Sequence, residues 1–250
     1  MNQSMNIREN RSEKDVDGKV TAIVLAAGRG KRMESDIQKQ YMELLGKPLI
    51  YYSLAAFEKS AVDRIVLVTG SGEEEFCRKE IVERFGFRKV SAVVAGGKER
   101  YHSVYEGLKA AAGSSYVLIH DGARPCVTTD IIQAAITGAA ENGACVIGMP
   151  VKDTIKIADE ADYAESTPDR NRLWMIQTPQ AFSYELVLGA YQRLFENEEY
   201  QKGITDDAMV IETMTSHKVR LIRGSYKNMK VTTPEDMAVV EIFLQSEEHC

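Results

Sequence analysis

The sequence predicts an α/β fold: a mostly parallel sheet with helices on both faces and a protruding β-arm. Short apolar, β-branched runs alternate with stretches whose apolar residues recur at helical spacing. Repeated β-α-β order of this kind requires right-handed crossovers, and therefore parallel strands covered by helices. One segment, 151–178, breaks the rhythm with short, polar, β-rich pieces and little core-forming content.

The first strand spans 20–25, and the chain then enters a loop of small residues, Ala26, Ala27, Gly28 and Gly30. Glycines there let the backbone approach a ligand and leave N–H groups pointing outward, which suits phosphate oxygens. Lys31, Arg32 and Lys39 follow, and so many cations near one loop suit a triphosphate better than a dinucleotide. A helix starts at Pro48, a good first-turn residue, and carries Leu49, Tyr52, Leu54 and Phe57. Strands are expected at 63–69, 90–95, 115–119 and 144–149, with helices at 99–112 and 129–141. Loops 26–33, 96–98 and 120–126 all follow strands, so they converge at the carboxyl edge of the sheet, where such folds bind ligands. The 151–178 segment reads as a β-hairpin arm, with Trp174, the single tryptophan, at its base or against another subunit, ordinary core packing being the alternative. Helices at 183–196 and 205–214, a strand at 218–223 and a closing helix from Pro234 complete a single domain, 20–250. Residues 1–19 have few large apolar side chains and alternate in charge, the pattern of a disordered tail.

Composition narrows the function classes. A hydrophobic fraction of 44% with 27% charged residues is ordinary for a globular chain. A net charge of −6 argues against a broad nucleic-acid-binding face and fits a local cationic site for a small anion. No apolar run approaches the ~20 residues of a membrane span. Cys77, Cys126, Cys145 and Cys250 show neither a C-x-x-C pair nor metal-ligand spacing, as expected of reduced thiols in a cytoplasmic protein.

The glycine loop continues into Arg32, Met33 and Lys39-Gln40-Tyr41, and further motifs follow in fixed order. They are Gly96-Gly97-Lys98-Glu99-Arg100 with Ser103, His120-Asp121-Gly122-Ala123-Arg124-Pro125, and Pro150-Val151-Lys152-Asp153-Thr154. Next come Asp169-Arg170-Asn171-Arg172-Leu173-Trp174, Gln177-Thr178-Pro179-Gln180, Thr205-Asp206-Asp207-Ala208 and Asn228-Met229-Lys230-Val231-Thr232. The series resembles sugar-nucleotide and related nucleotidyltransferases, and most of all the 2-C-methyl-D-erythritol 4-phosphate cytidylyltransferase family. A lone glycine loop is weak evidence; the collinear set is specific.

The resemblance implies a Rossmann-like nucleotidyltransferase sheet, with CTP and a polyol monophosphate as substrates and Mg²⁺ as cofactor. It gives Arg32 and Lys39 the stabilisation of the transition state. It places the nucleotide against Ala26, Ala27, Gly28, Gly30, Lys39, Gly97, Ser103 and Asp121. It assigns the acceptor to Asp121, Arg124, Thr154, Arg170, Thr205 and Lys230, with Arg170 and Lys230 positioning its phosphate. Arg170 comes from the neighbouring subunit in that family, which implies a homodimer through the arm. Asp121 follows a buried strand at the ligand edge and is the expected Mg²⁺ ligand, a helix-cap or Arg124-pairing role being the alternative. Arg32 and Lys39 have a surface-cation alternative, and Thr154 and Thr205 a cap or turn alternative. Nucleotidyl transfer asks for alignment and charge neutralisation, and a phosphate monoester is already an anion. His120 is therefore expected to be structural. Gln38 stands where relatives often have proline, Lys98 where some have an acid, and Lys227 near a position that can carry one.

Three other readings compete. Cytidylyl transfer to ribitol 5-phosphate uses the same chemistry, but Ala26-Ala27 and Asp169-Arg170-Asn171 favour methylerythritol phosphate. A Rossmann dehydrogenase fails on Met33, which replaces the third glycine, and on the cationic loop. A nucleotide-sensing module without catalysis fits poorly with Arg32, Lys39, Asp121 and Lys230 together.

Overall fold

A computed structural model describes residues 16–28 and 38–247. In chain order the regular elements begin with β1 (Val20–Ala26), β2 (Glu43–Leu44), β3 (Lys47–Pro48), α1 (Leu49–Lys59), β4 (Arg64–Thr69) and α2 (Glu74–Phe76). They continue with β5 (Val90–Ala95), α3 (Arg100–Ala110), β6 (Tyr116–Asp121), α4 (Thr129–Asn142), β7 (Ala144–Pro150), β8 (Ile157–Ala158) and β9 (Ala164–Ser166). Last come β10 (Trp174–Ser183), α5 (Tyr184–Leu194), α6 (Asp207–Met214), β11 (Arg220–Arg223) and α7 (Pro234–Glu247).

Among the described residues seven strands form the central sheet, in the order β11-β7-β10-β6-β1-β4-β5. All neighbours pair in parallel except β10, which runs antiparallel to both β6 and β7. From β1 the chain moves outward to β4 and β5, then returns to place β6 on the other side of β1. That reversal opens a crevice at the carboxyl ends of β1 and β6, the standard ligand position in open α/β sheets.

Alternation along the strands splits the core into two layers. Val24, Leu67 and Leu118 face one layer with Leu54 and Phe57 of α1 and Ile132 and Ala135 of α4. Ile23, Val66 and Ile119 face the other, with Val104 and Leu108 of α3, Tyr191 of α5 and Val210 of α6. Gly107 allows α3 to lie close on the sheet, since a Cβ there would sit 2.5 Å from Ile23 Cγ2. A smaller cluster of Leu44, Leu49, Ala123, Cys126, Val231 and Val240 docks α7 beneath the loop that carries Lys230. Among the described residues no helix is long and apolar enough to cross a membrane.

The structure corrects the sequence reading in four places. The arm ends before Trp174, not at 178: Trp174, Met175 and Ile176 pair with Pro150, Met149 and Gly148 inside the main sheet. Pro179 lacks a ladder donor and conceals this strand; a register irregularity between Ile176 and Gln180 accommodates it. The expected tail, 1–19, overlaps structured chain: Val16 packs on the core, and the Lys19 carbonyl accepts from the N–H groups of Ser115 and Tyr116 at 2.8 and 3.2 Å. Residues 1–15 lie outside the described residues. The β4–β5 crossover is helical, α2 continuing as a π-helix over Cys77–Glu83, where dense charges mask a stripe made only of Cys77 and Ile81. The short hairpin of β2 and β3 is also new.

The remaining arm carries the β8–β9 hairpin, with Ile157 50% and Tyr163 73% exposed. Trp174 sits half-buried at its base, packed 3.4 Å from the Cβ position of Gly148.

Candidate active site

A cleft of about 950 Å³ opens at the carboxyl ends of β1, β4, β5 and β6. Ala26, Ala27, Gly28, Lys39, Gly97, Ser103, Asp121 and Lys230, all expected at the site, line it. Gly96 and Gly97 are required by close approach, since a Cβ would lie 2.6 Å from Ser103 Oγ at the first and 2.4 Å from His102 Cβ at the second. The Gly97 N–H donates to Ser103 Oγ at 3.1 Å, which fixes this loop on the first turn of α3. Among the described residues no atom lies within 4 Å of the Gly28 Cβ position. Gly30 and Arg32 lie outside the described residues.

Lys39 begins a short 3₁₀ turn, Lys39–Tyr41, that is tied to its neighbours on three sides. Lys39 Nζ donates to the Val231 carbonyl at 3.0 Å, next to Lys230. The buried Gln40 amide donates to the Ala26 carbonyl at 2.6 Å, at the end of β1. Glu73, in the loop after β4, accepts from the Gln38 amide, from Tyr41 Oη at 2.9 Å and from the Gly70 N–H at 3.2 Å. Burial, with Cys77 and Glu73 adding to it, pushes the Tyr41 phenol above its ordinary range, so it acts as a neutral donor.

Asp121 ends β6 among three cations. Lys230 Nζ lies 2.9 Å from its Oδ2, Arg124 Nε 3.8 Å from the same oxygen, and Arg100 Nε 3.5 Å from Oδ1. Burial works against its charge, but Arg100, then Lys230 and Arg124, hold its carboxyl far below the usual carboxylate range. Arg124 Nε makes no hydrogen bond among the described residues, so its contribution to Asp121 there is Coulombic, while its Nη1 donates to the Asn228 carbonyl at 2.9 Å. Arg100 forms a two-pronged bond to the fully buried Asp207 at 2.8 and 2.7 Å. Burial opposes the guanidinium charge too, but Asp207 and Asp121 hold Arg100 protonated well above its ordinary range.

Behind Asp121, Thr178 Oγ1 accepts from the Asp121 N–H at 3.0 Å and lies 3.0 Å from His120 Nδ1. His120 Nε2 is 3.3 Å from the Arg124 carbonyl, an acceptor only. The one arrangement that satisfies every group has Nε2 protonated and Nδ1 accepting from Thr178. Burial, with Arg124 also contributing, lowers His120 to about 3, which makes it a neutral brace.

Thr154 and Arg170 are exposed on the arm, and neither lines the cleft. Arg170 Nη1 donates to the Lys152 carbonyl at 3.2 Å. Thr205 also lies outside the cleft, its hydroxyl directed at Met209 Sδ at 3.6 Å. Arg124 stands behind Asp121 instead of facing the cleft. Arg100, Asp207, Gln40 and Glu73 were not singled out by sequence. Arg100 and Asp207 close or occupy two quoted motifs, but their partnership is visible only once α3 and α6 are placed side by side.

Among the described residues no three His, Cys, Asp or Glu side chains converge on a metal position. Asp121 offers one carboxylate, which fits Mg²⁺ only in the form it takes beside phosphates, with phosphate oxygens and water completing six ligands.

A glycine-lined cleft at the switch point of a mostly parallel sheet, with cations gathered around one carboxylate, defines the nucleotidyltransferase class of α/β protein. A family model described as 2-C-methyl-D-erythritol 4-phosphate cytidylyltransferase matches residues 20–246, and the chain belongs to that family. It is 52% identical over 226 residues to the protein of that name from Lachnospira eligens, across 90% of this chain and 99% of the other. A second, from Lachnoclostridium phytofermentans, is 50% identical across 91% and 97% of the two chains. The crystal structure of 4-diphosphocytidyl-2C-methyl-D-erythritol synthase from Anaerococcus prevotii is similar, with a TM-score of 0.79, 33% identity and coverage of 91% and 96%.

His120 generates a stability prediction. Its neutral form is the one the fold holds, so its contribution is complete above the ordinary 6.5 and is lost as pH falls toward about 3. This single site contributes up to about 1.4 kcal/mol per pH unit over that window. Urea unfolding of wild type and His120→Asn should show curves that converge as pH falls from 6.5. Parallel curves contradict the buried neutral imidazole.

Proposed function

We propose that the protein transfers the cytidylyl group of CTP to 2-C-methyl-D-erythritol 4-phosphate, giving 4-diphosphocytidyl-2-C-methyl-D-erythritol and pyrophosphate. The observation that carries the reading is Lys39, Lys230 and Arg100 gathered with Asp121 around one glycine-lined cleft. An oxygen of the acceptor's phosphate attacks the α-phosphorus of CTP in line with the departing bond. That P–O bond breaks, and pyrophosphate leaves with its electron pair. The attacking oxygen is already anionic, so no side chain needs to remove a proton.

The protein's work is electrostatic. A cation about 4 Å from a unit charge is worth about 4 kcal/mol at an effective dielectric of 20. Lys39, with Arg32 supporting the same role, opposes charge growing on the α-phosphate and the leaving group. Ala26, Ala27, Gly28, Gly97 and Ser103 present backbone and small side chains to the pyrimidine and ribose, a wall that would crowd a purine. Lys230 takes the acceptor's phosphate. Asp121 would hold Mg²⁺ together with phosphate oxygens, the metal supplying charge neutralisation and alignment of the triphosphate.

The acceptor side is completed by a second copy of the chain. Thr154 and Arg170 lie on an arm that exposes Ile157 and Tyr163, and neither residue reaches the cleft of its own subunit. A homodimer in which each arm crosses over brings the partner's Arg170 to the acceptor. Use of CTP, a nucleotide of the cell interior, supports a cytoplasmic location.

Transfer to ribitol 5-phosphate gains no support from the relatives, which at 43–52% identity are named for methylerythritol phosphate. Pyrophosphate release with Mg²⁺ should proceed with CTP and methylerythritol phosphate and fall by ~10⁴ with ATP or GTP, which leave the pocket's polar groups unpaired. Equal turnover with ATP, or with ribitol 5-phosphate as acceptor, contradicts the assignment.

A mixed dimer tests the crossing arm. Lys39→Ala and Arg170→Ala homodimers each lose one component of both sites, Lys39→Ala costing roughly 10²–10³ in kcat. Co-expression with two tags and isolation of the doubly tagged dimer yields one intact site, so about half the wild-type rate per dimer should return. A heterodimer as inactive as its parents places Arg170 in its own subunit.

A further inference from the structure

Arg100 is the first residue of α3 and directly follows the glycine loop that lines the cleft. Its guanidinium spans two carboxylates, forking onto both oxygens of Asp207 while its Nε faces Asp121 Oδ1 at 3.5 Å. Asp207 is itself immobilised. Tyr191 Oη donates to its Oδ1 at 2.6 Å, and Asp207 starts a helix pinned to the sheet by Gln180. The Gln180 amide donates to Asp206 Oδ2 and accepts from the Ala208 N–H, both at 2.9 Å. Three helices of one layer and strand β10 therefore fix the direction of one guanidinium.

The two oxygens of Asp121 are divided between unlike partners. Oδ1 faces Arg100, whereas Oδ2 takes Lys230 at 2.9 Å, a side chain 36% exposed. If Lys230 also meets the acceptor's phosphate, its bond to Oδ2 must be exchanged during turnover. Arg100 has no such freedom, because a planar fork on a buried carboxylate has one geometry. A buried ion pair of this kind adds little stability, since desolvating both charges offsets their attraction. What it supplies is direction.

We infer that Arg100, locked by Asp207, is a positioning residue that keeps the Asp121 carboxylate in place while Lys230 exchanges between Asp121 and the acceptor's phosphate. The inference rests on the cytidylyl-transfer reading.

Steady-state kinetics of the full-length protein with CTP, Mg²⁺ and methylerythritol phosphate test it. Arg100→Lys keeps the charge and loses the fork; Asp207→Asn keeps the shape and loses the lock. Both should lower kcat by about 10–100-fold, the range for residues that orient a site from behind. KM for CTP should stay within about 3-fold, because the residues assigned to the base and ribose, Ala26, Ala27, Gly28, Gly97 and Ser103, are untouched. Val187→Ala, a buried residue of α5 in the same core layer with no bond in this network, serves as the stability control: its Tm should fall while kcat stays within about 2-fold of wild type. Wild-type kcat in either Arg100→Lys or Asp207→Asn overturns the inference. So does a loss of kcat of about 10–100-fold in Val187→Ala, which assigns the effect to lost stability alone. If Asp207→Asn does not fold, Arg100→Lys, which leaves Asp207 a cationic partner, decides the matter. A wild-type protein inactive on CTP and methylerythritol phosphate overturns the transfer reading, and this inference with it, so the two failures are distinct.

Discussion

Asp121 holds a carboxylate that has been taken almost out of water and compensated by three cations, and the rest of the cleft is arranged around that exchange. A buried carboxylate left alone would take up a proton. Here Arg100, Lys230 and Arg124 reverse the sign of that tendency, and the ionised group in turn gathers cations that would otherwise repel one another. The result is a preorganised positive field at the switch point of the sheet, where phosphates are received.

The constraint propagates outward through backbone. Thr178 holds the Asp121 N–H, and Asn228 Nδ2 donates to the Thr178 carbonyl at 2.9 Å. The strap that follows Asn228 carries Lys230, and its next residue, Val231, donates to the Ala123 carbonyl at 2.8 Å while accepting from Lys39. Two lysines far apart in sequence are thus referenced to the same turn after β6. The antiparallel strand β10 makes this coupling, since it lies beside β6 and supplies both Thr178 and Gln180.

Much of this was legible from sequence. The parallel strands, the glycine loops and Asp121 at a strand end follow from apolar periodicity and from the edge rule for α/β sheets. β10 was hidden because Pro179 interrupts the run and because Met175 and Ile176 face solvent at 45% and 36%. The Arg100–Asp207 fork was hidden for another reason: it is a contact between α3 and α6, 107 positions apart, and no local pattern encodes it. Lys39 and Lys230 were identified individually, but their meeting at Val231 belongs to tertiary structure. The placement of Thr154 and Arg170 on an exposed arm follows directly from the composition of that segment, whereas the extent of the arm does not.

The most direct measurement is kcat for Asp121→Asn with CTP, Mg²⁺ and methylerythritol phosphate, on protein shown to be folded by near-UV circular dichroism. The substitution keeps the shape of the side chain and removes the charge that organises Arg100, Arg124 and Lys230. A fall in kcat of at least ~10³ in folded protein is the result this account predicts, as expected when preorganised charge is lost at the reacting phosphates. A folded variant with kcat within about 3-fold of wild type contradicts the central role of the carboxylate.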